Sequence, residues 1–321
     1  MDWKRFYADE LTDPRGRAEL AAALARHRGG DARLGAALRA GAIVSFPHVT
    51  VRDSADFIAT VVASILAARA KRVVALGVLH RSALPAPFGD CYASLGDDTP
   101  KGRQAFVRLR GAFVDTSSVA TPFGRIDQTA SPSEEPLLHD DPAVVRHEFS
   151  LDLFLAFLAA SARLHGVRPP EVIRVYVSVV RDPMGGFDTV RPLAAAIKKL
   201  LGDGTVCLAT GDLAHLGHGY GTGEETARLP SDETELTKTL AASLRDMHEA
   251  ALGRHDYKTA WEIGTRLRSD QRQILPVIAE LLGQGASCEP LGLRLSDYAG
   301  INEQPRPCFV AAALNLFRPA R

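Results

Sequence analysis

The sequence predicts a single α/β domain with a central, mostly parallel sheet between helical layers, and three observations predict it. Apolar, β-branched runs at residues 42–47, 72–79, 171–180 and 205–210 read as strands covered on both faces. Amphipathic helical patterns fall between them, and strand–helix alternation is what builds a parallel sheet. Three of the runs also deliver histidine at their carboxyl ends: His48, His80 and, in the glycine-rich stretch LATGDLAHLGHGYGTG, His215. Ligands of open α/β sheets bind beyond those ends, so one shared metal is the economical reading.

In order, residues 14–39 carry leucines at near-helical spacing, broken at Gly29-Gly30, and predict two helices. Strand 42–47 is followed by an amphipathic helix over 53–70, with apolar Phe57, Ile58, Val61, Val62, Ile65 and Leu66, and then by strand 72–79. Residues 82–102 and 121–136, rich in proline and glycine, predict long irregular segments lying as lids over the cleft, with a short strand near 111–115 between them. Asp141-Pro142 opens a buried helix running over 143–165. Strand 171–180, helix 188–201, strand 205–210, helices over 231–252, 257–265 and 269–282, and strands 291–298 and 308–317 complete the chain. Domain organisation reads as an N-terminal helical segment, 1–40, leading into an α/β metal-binding domain, 41–321.

A chain of 321 residues with 46% apolar content can bury a large core. Lysine plus arginine equals aspartate plus glutamate, 38 each, so nucleic acid is a poor partner. Four cysteines without a C-x-x-C pair argue against a zinc ribbon and a disulfide framework. The opening MDWKRFYADELTD lacks the basic-then-apolar pattern of a signal peptide, and no apolar run approaches the roughly 20 residues that span a bilayer. A soluble cytoplasmic protein without a membrane partner is expected.

Of the ten histidines, His27, His139, His165, His248 and His255 fall on polar helix faces, helix ends or irregular stretches and read as surface residues. His48, His80 and His215 are the metal-ligand candidates, because imidazole binds divalent transition metals and three such ligands leave positions open. Asp212, three residues before His215, either ligates the same ion, orients the histidine, or closes an Asx turn. His147 and His218 are the acid–base candidates, and Tyr220 is placed to face a substrate. Gly217, Gly219, Gly221 and Gly223 form no phosphate loop, since no G-K-[ST] follows; they let the backbone pass close to the site. No G-x-S-x-G, H-E-x-x-H or Walker sequence is present.

Several of these stretches, taken in order, resemble the site motifs of the Memo family, also called AmmeMemoRadiSam system protein B. Phe46-Pro47-His48 resembles its P-H, Gly77-Val78-Leu79-His80 its G-P-S-H, and Thr121-Pro122-Phe123-Gly124 its T-P-L-G. Glu148-Phe149-Ser150-Leu151-Asp152 parallels E-H-S-I-E, and Gly211-Asp212-Leu213-Ala214-His215-Leu216-Gly217 parallels S-D-F-S-H-Y-G. The family is similar in fold to class III extradiol dioxygenases of the LigB type, and members have been associated with iron or copper and redox activity. The resemblance implies His48, His80 and His215 as metal ligands, with Asp212 beside them. The sequence departs from the pattern at Val49-Thr50-Val51-Arg52, at Phe149 in place of histidine, and at Asp270-Gln271-Arg272 where the family has a cysteine. Asp270 then either puts a hard carboxylate at the site in place of a soft sulfur, or caps the helix that follows it.

The expectation is a non-haem, metal-dependent redox enzyme, oxygenase-like, using Fe(II), with copper and zinc as alternatives. It would act on a small molecule, with O2 as co-substrate, and Asp212, Asp270, His147 and His218 would serve the chemistry. A non-catalytic metal- or peptide-binding protein of the Memo type, or a metal-dependent hydrolase, uses the same residues.

Overall fold

The structure, a computed structural model, describes residues 2–95, 98–128 and 134–320. Asp2, Asp13 and Asp31 accept backbone N–H bonds at the starts of α1 (Trp3–Thr12), α2 (Pro14–Arg26) and α3 (Ala32–Arg39). Next come β1 (Ile43–Phe46), α4 (Val51–Ala67), β2 (Arg72–Val78), α5 (Ala86–Ala93), α6 (Pro100–Leu109) and β3 (Ala112–Asp115). A small hairpin, β4 (Val119–Thr121) with β5 (Gly124–Ile126), and the two-residue β6 (Leu138–His139) precede α7 (Pro142–Val145), α8 (Asp152–His165) and β7 (Glu171–Val177). The rest of the chain forms α9 (Val190–Lys198), β8 (Thr205–Thr210), β9 (Ala214–Gly217), α10 (Gly223–Ala227), α11 (Glu233–His248), α12 (Tyr257–Leu267), α13 (Gln271–Leu282), β10 (Ser287–Asp297) and β11 (Cys308–Arg318).

Among the described residues, nine strands form one mixed, mostly parallel sheet in the order β10-β11-β1-β8-β2-β7-β3-β6, with β9 paired to β11. Strands β1, β8, β2 and β7 run parallel at its centre, flanked by antiparallel β11 and β3. One face is covered by α4 and α8 with the N-terminal helices, around Phe46, Ile58, Phe154 and Phe157. The other is covered by α9, α11 and α13, around Leu193, Ile197, Leu240 and Ile278. Each such side chain contributes about 1.5–3 kcal/mol when removed from water, which is why the central strands are almost wholly apolar. The path from β1 through β2 to β7 moves outward with α4 and α8 on one face, and α9 on the other face brings β8 back between β1 and β2. Such a reversal opens a crevice at the carboxyl ends of the strands it separates.

The structure corrects the sequence reading at several elements. The segment expected to be irregular over 82–102 contains α5 and leads into α6. Pro87 lies in the first turn of α5 and Pro100 opens α6 beneath the Thr99 cap, so prolines taken as breakers are helix starters. The second segment contains the hairpin β4–β5, packed on α8; Gly96-Asp97 and residues 129–133 of the two segments lie outside the described residues. The expected helix over 143–165 is two helices, α7 and α8, separated by residues 146–151. Residues 3–12, within the N-terminal stretch 1–40 read as helical but not resolved there into a separate element, form α1. His248 is buried at 5% exposure with its ring 5.5 Å from that of Phe317, not on a polar face.

Gly217 ends β9 with φ of +88°, and a Cβ there would stand 2.0 Å from the Pro307 carbonyl oxygen. Its freedom serves the close pass of β9 over that carbonyl. Gly217→Ala is expected to cost about 3 kcal/mol, read from urea denaturation midpoints. Gly223, whose added Cβ would meet nothing within 4 Å, is the control: Gly223→Ala should stay within about 0.5 kcal/mol. Equal midpoints for the two variants would remove the constraint assigned to Gly217.

Candidate metal centre

Strands β1, β8 and β2 are neighbours in register, Phe46 opposite Thr210 and Leu76 opposite Ala209. Residues just past their ends therefore emerge together, and these are His48, Asp212 and His80. Strand β9 then turns back along β11, with His215 opposite Val310. Asp270, immediately before α13, joins them because its backbone N–H donates to the Asp212 carbonyl at 3.0 Å.

Each of the three imidazoles is held by its Nδ1. The Thr210 hydroxyl donates to the Phe46 carbonyl at 3.0 Å, so towards His48 Nδ1, at 3.2 Å, it is an acceptor. His80 Nδ1 lies 3.0 Å from Glu148 Oε1, and the His80 backbone N–H donates to Glu148 Oε2 at 2.7 Å. His215 Nδ1 lies 2.8 Å from the Arg268 carbonyl oxygen. Every anchor accepts, which places a proton on Nδ1 and turns each Nε2, the nitrogen at which a metal would bind, towards the centre. This is how proteins fix histidines that bind metals.

The three Nε2 atoms converge on Asp270. Its Oδ2 lies 3.5 Å from Nε2 of His48, 4.0 Å from that of His80 and 3.9 Å from that of His215. Asp212 Oδ2 lies 3.8 Å from His48 Nε2 and 4.0 Å from His215 Nε2. Two overlapping sets, His48–His80–Asp270 and Asp212–His215–Asp270, each bring their ligand atoms within 4.8 Å of one another and could hold a metal ion. Asp270 stands before α13 without a side-chain bond to the helix, so its carboxylate serves the cluster instead of capping.

The electrostatics set the members of the cluster apart: His48 is neutral, whereas His80 is a cation at neutral pH in the metal-free protein. Burial, and then the charge of His80, push His48 down to about 4, so it is neutral with its lone pair free. Burial opposes a charged His80, but the charge and hydrogen bonds of Glu148 outweigh it and raise the imidazole to about 9. Burial and the Asp270 charge push Asp212 up to about 7. Burial works against ionised Asp270 as well, yet His215, His80 and His48 hold its carboxyl below the usual range.

A cleft of about 130 Å³ opens over the cluster, walled by Trp3, Tyr7, Phe149, Tyr220 and Tyr298. The Tyr7 hydroxyl donates to the His48 carbonyl at 2.6 Å, and Phe149 stacks on the His80 ring at 4.3 Å. Tyr220 faces the cleft as the sequence suggested. His147 does not: it is exposed in a neighbouring depression with Lys4 and Ser82. His218 is half-buried, its backbone N–H bound to the Pro307 carbonyl, and it is not among the cleft-lining residues. Nor, among the described residues, does either segment expected to form a lid contribute to the walls. Tyr7 and Tyr298 had no assigned role in the sequence reading, and Glu148 was read only as a helix-start residue able to point towards the cleft. Its bond to His80 carried no signal in the sequence, nor did the tyrosines, because α1 and the end of β10 reach the site through tertiary packing.

No protein-family model and no curated protein sequence matches this chain significantly.

In the metal-free protein the folded pKa of His80, about 9, lies above the ordinary 6.5 of an unfolded histidine. The pair with Glu148 therefore stabilises fully below about 6.5, and its contribution fades as pH rises through about 9. Glu148→Gln removes the charge and should lower stability at pH 6 by about 2 kcal/mol more than at pH 9.5, measured by denaturant titration of metal-free protein. The same difference at both pH values would show that His80 does not titrate against Glu148.

Proposed function

We propose that this chain is a metal-dependent redox enzyme, oxygenase-like, that holds a divalent transition metal through His48, His80 and His215, with Asp270 and Asp212 beside them. The observation that carries the reading is the locking of all three imidazoles by acceptors on Nδ1, with three Nε2 atoms aimed at one small volume; at His80 a bound metal would displace the proton that Glu148 favours. The His48–His80–Asp270 set is a two-histidine, one-carboxylate combination, which favours Fe(II) over Cu(I) and leaves Zn(II) as an alternative. The ordered motifs that resemble the Memo family support the same assignment, with the family's soft sulfur replaced by Asp270.

When bound, such a metal supplies Lewis acidity and a redox couple. The chain's own residues do the rest. Glu148, Thr210 and the Arg268 carbonyl orient the ligands. Asp212, with its carboxyl near neutrality, holds or releases a proton at Oδ2 beside the substrate. The aromatic walls exclude water and admit a small molecule, with O2 as the proposed co-substrate. Neither nucleic acid nor a membrane is proposed as a partner: acidic and basic residues are equal in number, and among the described residues no helix is long and apolar enough to cross a membrane.

Protein purified without air and reconstituted with Fe(II) should bind one equivalent and consume O2 with a suitable small substrate. His48→Ala, His80→Ala, His215→Ala and Asp270→Ala should each lose most of the metal while keeping the fold, and Glu148→Gln should weaken binding about 10–100-fold. Asp270→Cys should raise copper affinity relative to iron. Full metal loading in all three histidine variants would overturn the site. Loading without oxygen uptake across a substrate panel would overturn the enzyme and leave a metal-binding protein.

A further inference from the structure

Asp212 faces the metal cluster, but the next residue, Leu213, lines a different cavity, of about 280 Å³, between α11 and the β10–β11 ladder. That volume falls just short of the roughly 300–1,000 Å³ of drug-sized sites and suits a smaller ligand, and the walls are mainly apolar, with Leu213, Leu244, Leu293 and Ala313. Two departures from regular backbone border it. Beyond His248 the helix α11 widens into a π-turn, Glu249–Gly253, and β10 slips register on β11 between Pro290 and Gly292. Irregularities of both kinds are over-represented where a fold makes room for a ligand.

The polar groups on the walls define the ligand's charge. Asn315 is 2% exposed and its Nδ2 finds no acceptor among the described residues. Burial lowers His248 to about 4 and raises Cys288 to about 12, so both are neutral. Two charged residues remain at the mouth. Glu249 faces Arg254 at 3.7 Å, whereas exposed Arg245 makes no ion pair among the described residues. The cavity thus combines an apolar interior with a mouth at which Arg245 has no ion pair among the described residues and Glu249 is shared with Arg254.

We propose that this cavity binds a medium-chain carboxylic acid, its apolar chain between α11 and the β10–β11 ladder and its carboxylate against Arg245. The site is separate from the metal cluster and stands whether or not that cluster is catalytic. An amphiphilic anion satisfies both features, and a cation or a neutral alcohol of the same length satisfies only the interior.

The test is calorimetric titration of the intact protein with octanoate, octanol and octylamine at low salt. Octanoate is expected to bind one saturable site, about ten-fold more tightly than octanol, and to raise the melting temperature. Arg245→Gln should abolish the preference for octanoate while sparing octanol binding. Ala241→Trp, at an exposed helix position on the cavity rim, should block all binding without unfolding the protein, and Ala313→Leu checks the interior independently. The absence of saturable octanoate binding, an octanol affinity equal to that of octanoate, or undiminished binding in both filling variants would each overturn the proposal.

Discussion

The upper end of this molecule is arranged around two carboxylates, Asp212 and Asp270, confined with three imidazole nitrogens in a space largely closed to solvent. Like charges at about 4 Å repel by about 4 kcal/mol at an effective dielectric of about 20, so the frame must hold them together. It does so through backbone: the Asp270 N–H bonds to the Asp212 carbonyl, and the His48 N–H bonds to Asp212 Oδ1 at 3.1 Å. His215 and His80 offset part of the negative charge, and Asp212, pushed up to about 7, takes up a proton first; neutral His48 contributes least. A fold that fixes mutually repelling donors in place, with three Nδ1 hydrogen bonds aiming the rest, could hold a cation there.

Glu148 shows how the scaffold and the cluster share one residue. Helix α8 begins without a side-chain N-cap, and the helical path is interrupted between α7 and α8. In that break the Glu148 carboxylate accepts the backbone N–H groups of Phe149 and Ser150 at 2.8 and 2.9 Å, as well as both donors of His80. Burial opposes its charge, but the charge and hydrogen bonds of His80 outweigh burial and hold Glu148 below the usual carboxylate range. The ionised carboxylate therefore does local work for the backbone and oriented work for the site. A continuous helix over this stretch would have denied His80 its partner.

The parts of the fold that could be read from the sequence were those governed by periodicity. Strands β1, β2, β7 and β8 are apolar because both faces are covered, and α4 and α9 alternate because one face is, so their positions followed from composition alone. His48, His80, Asp212 and His215 were visible because polar residues directly after such strands have few structural reasons to be there. Asp270 entered only through a resemblance, since nothing local separates it from a helix cap. The α7–α8 break was invisible because its residues are helix-compatible, and it forms for the sake of Glu148's tertiary bonds. His147 and His218 misled for the complementary reason. Proximity in sequence to a site residue does not fix which way a side chain leaves a turn.

Helix α1 completes the argument, because it makes the first residues of the chain part of the cleft. Ten residues form a marginal helix in water, so α1 depends on what it packs against. Those contacts lead to the site: Tyr7 donates to the carbonyl of His48, Lys4 donates to the carbonyl of Glu148 at 2.8 Å and faces Asp152 at 3.6 Å, and Trp3 packs near Phe149 and Tyr298. Two of these bonds hold the backbone of residues whose side chains belong to the cluster or its support. The roof over the cleft and the positions of His48 and Glu148 beneath it are therefore set by the same few interactions, and displacing α1 opens the cleft and loosens the histidine geometry together.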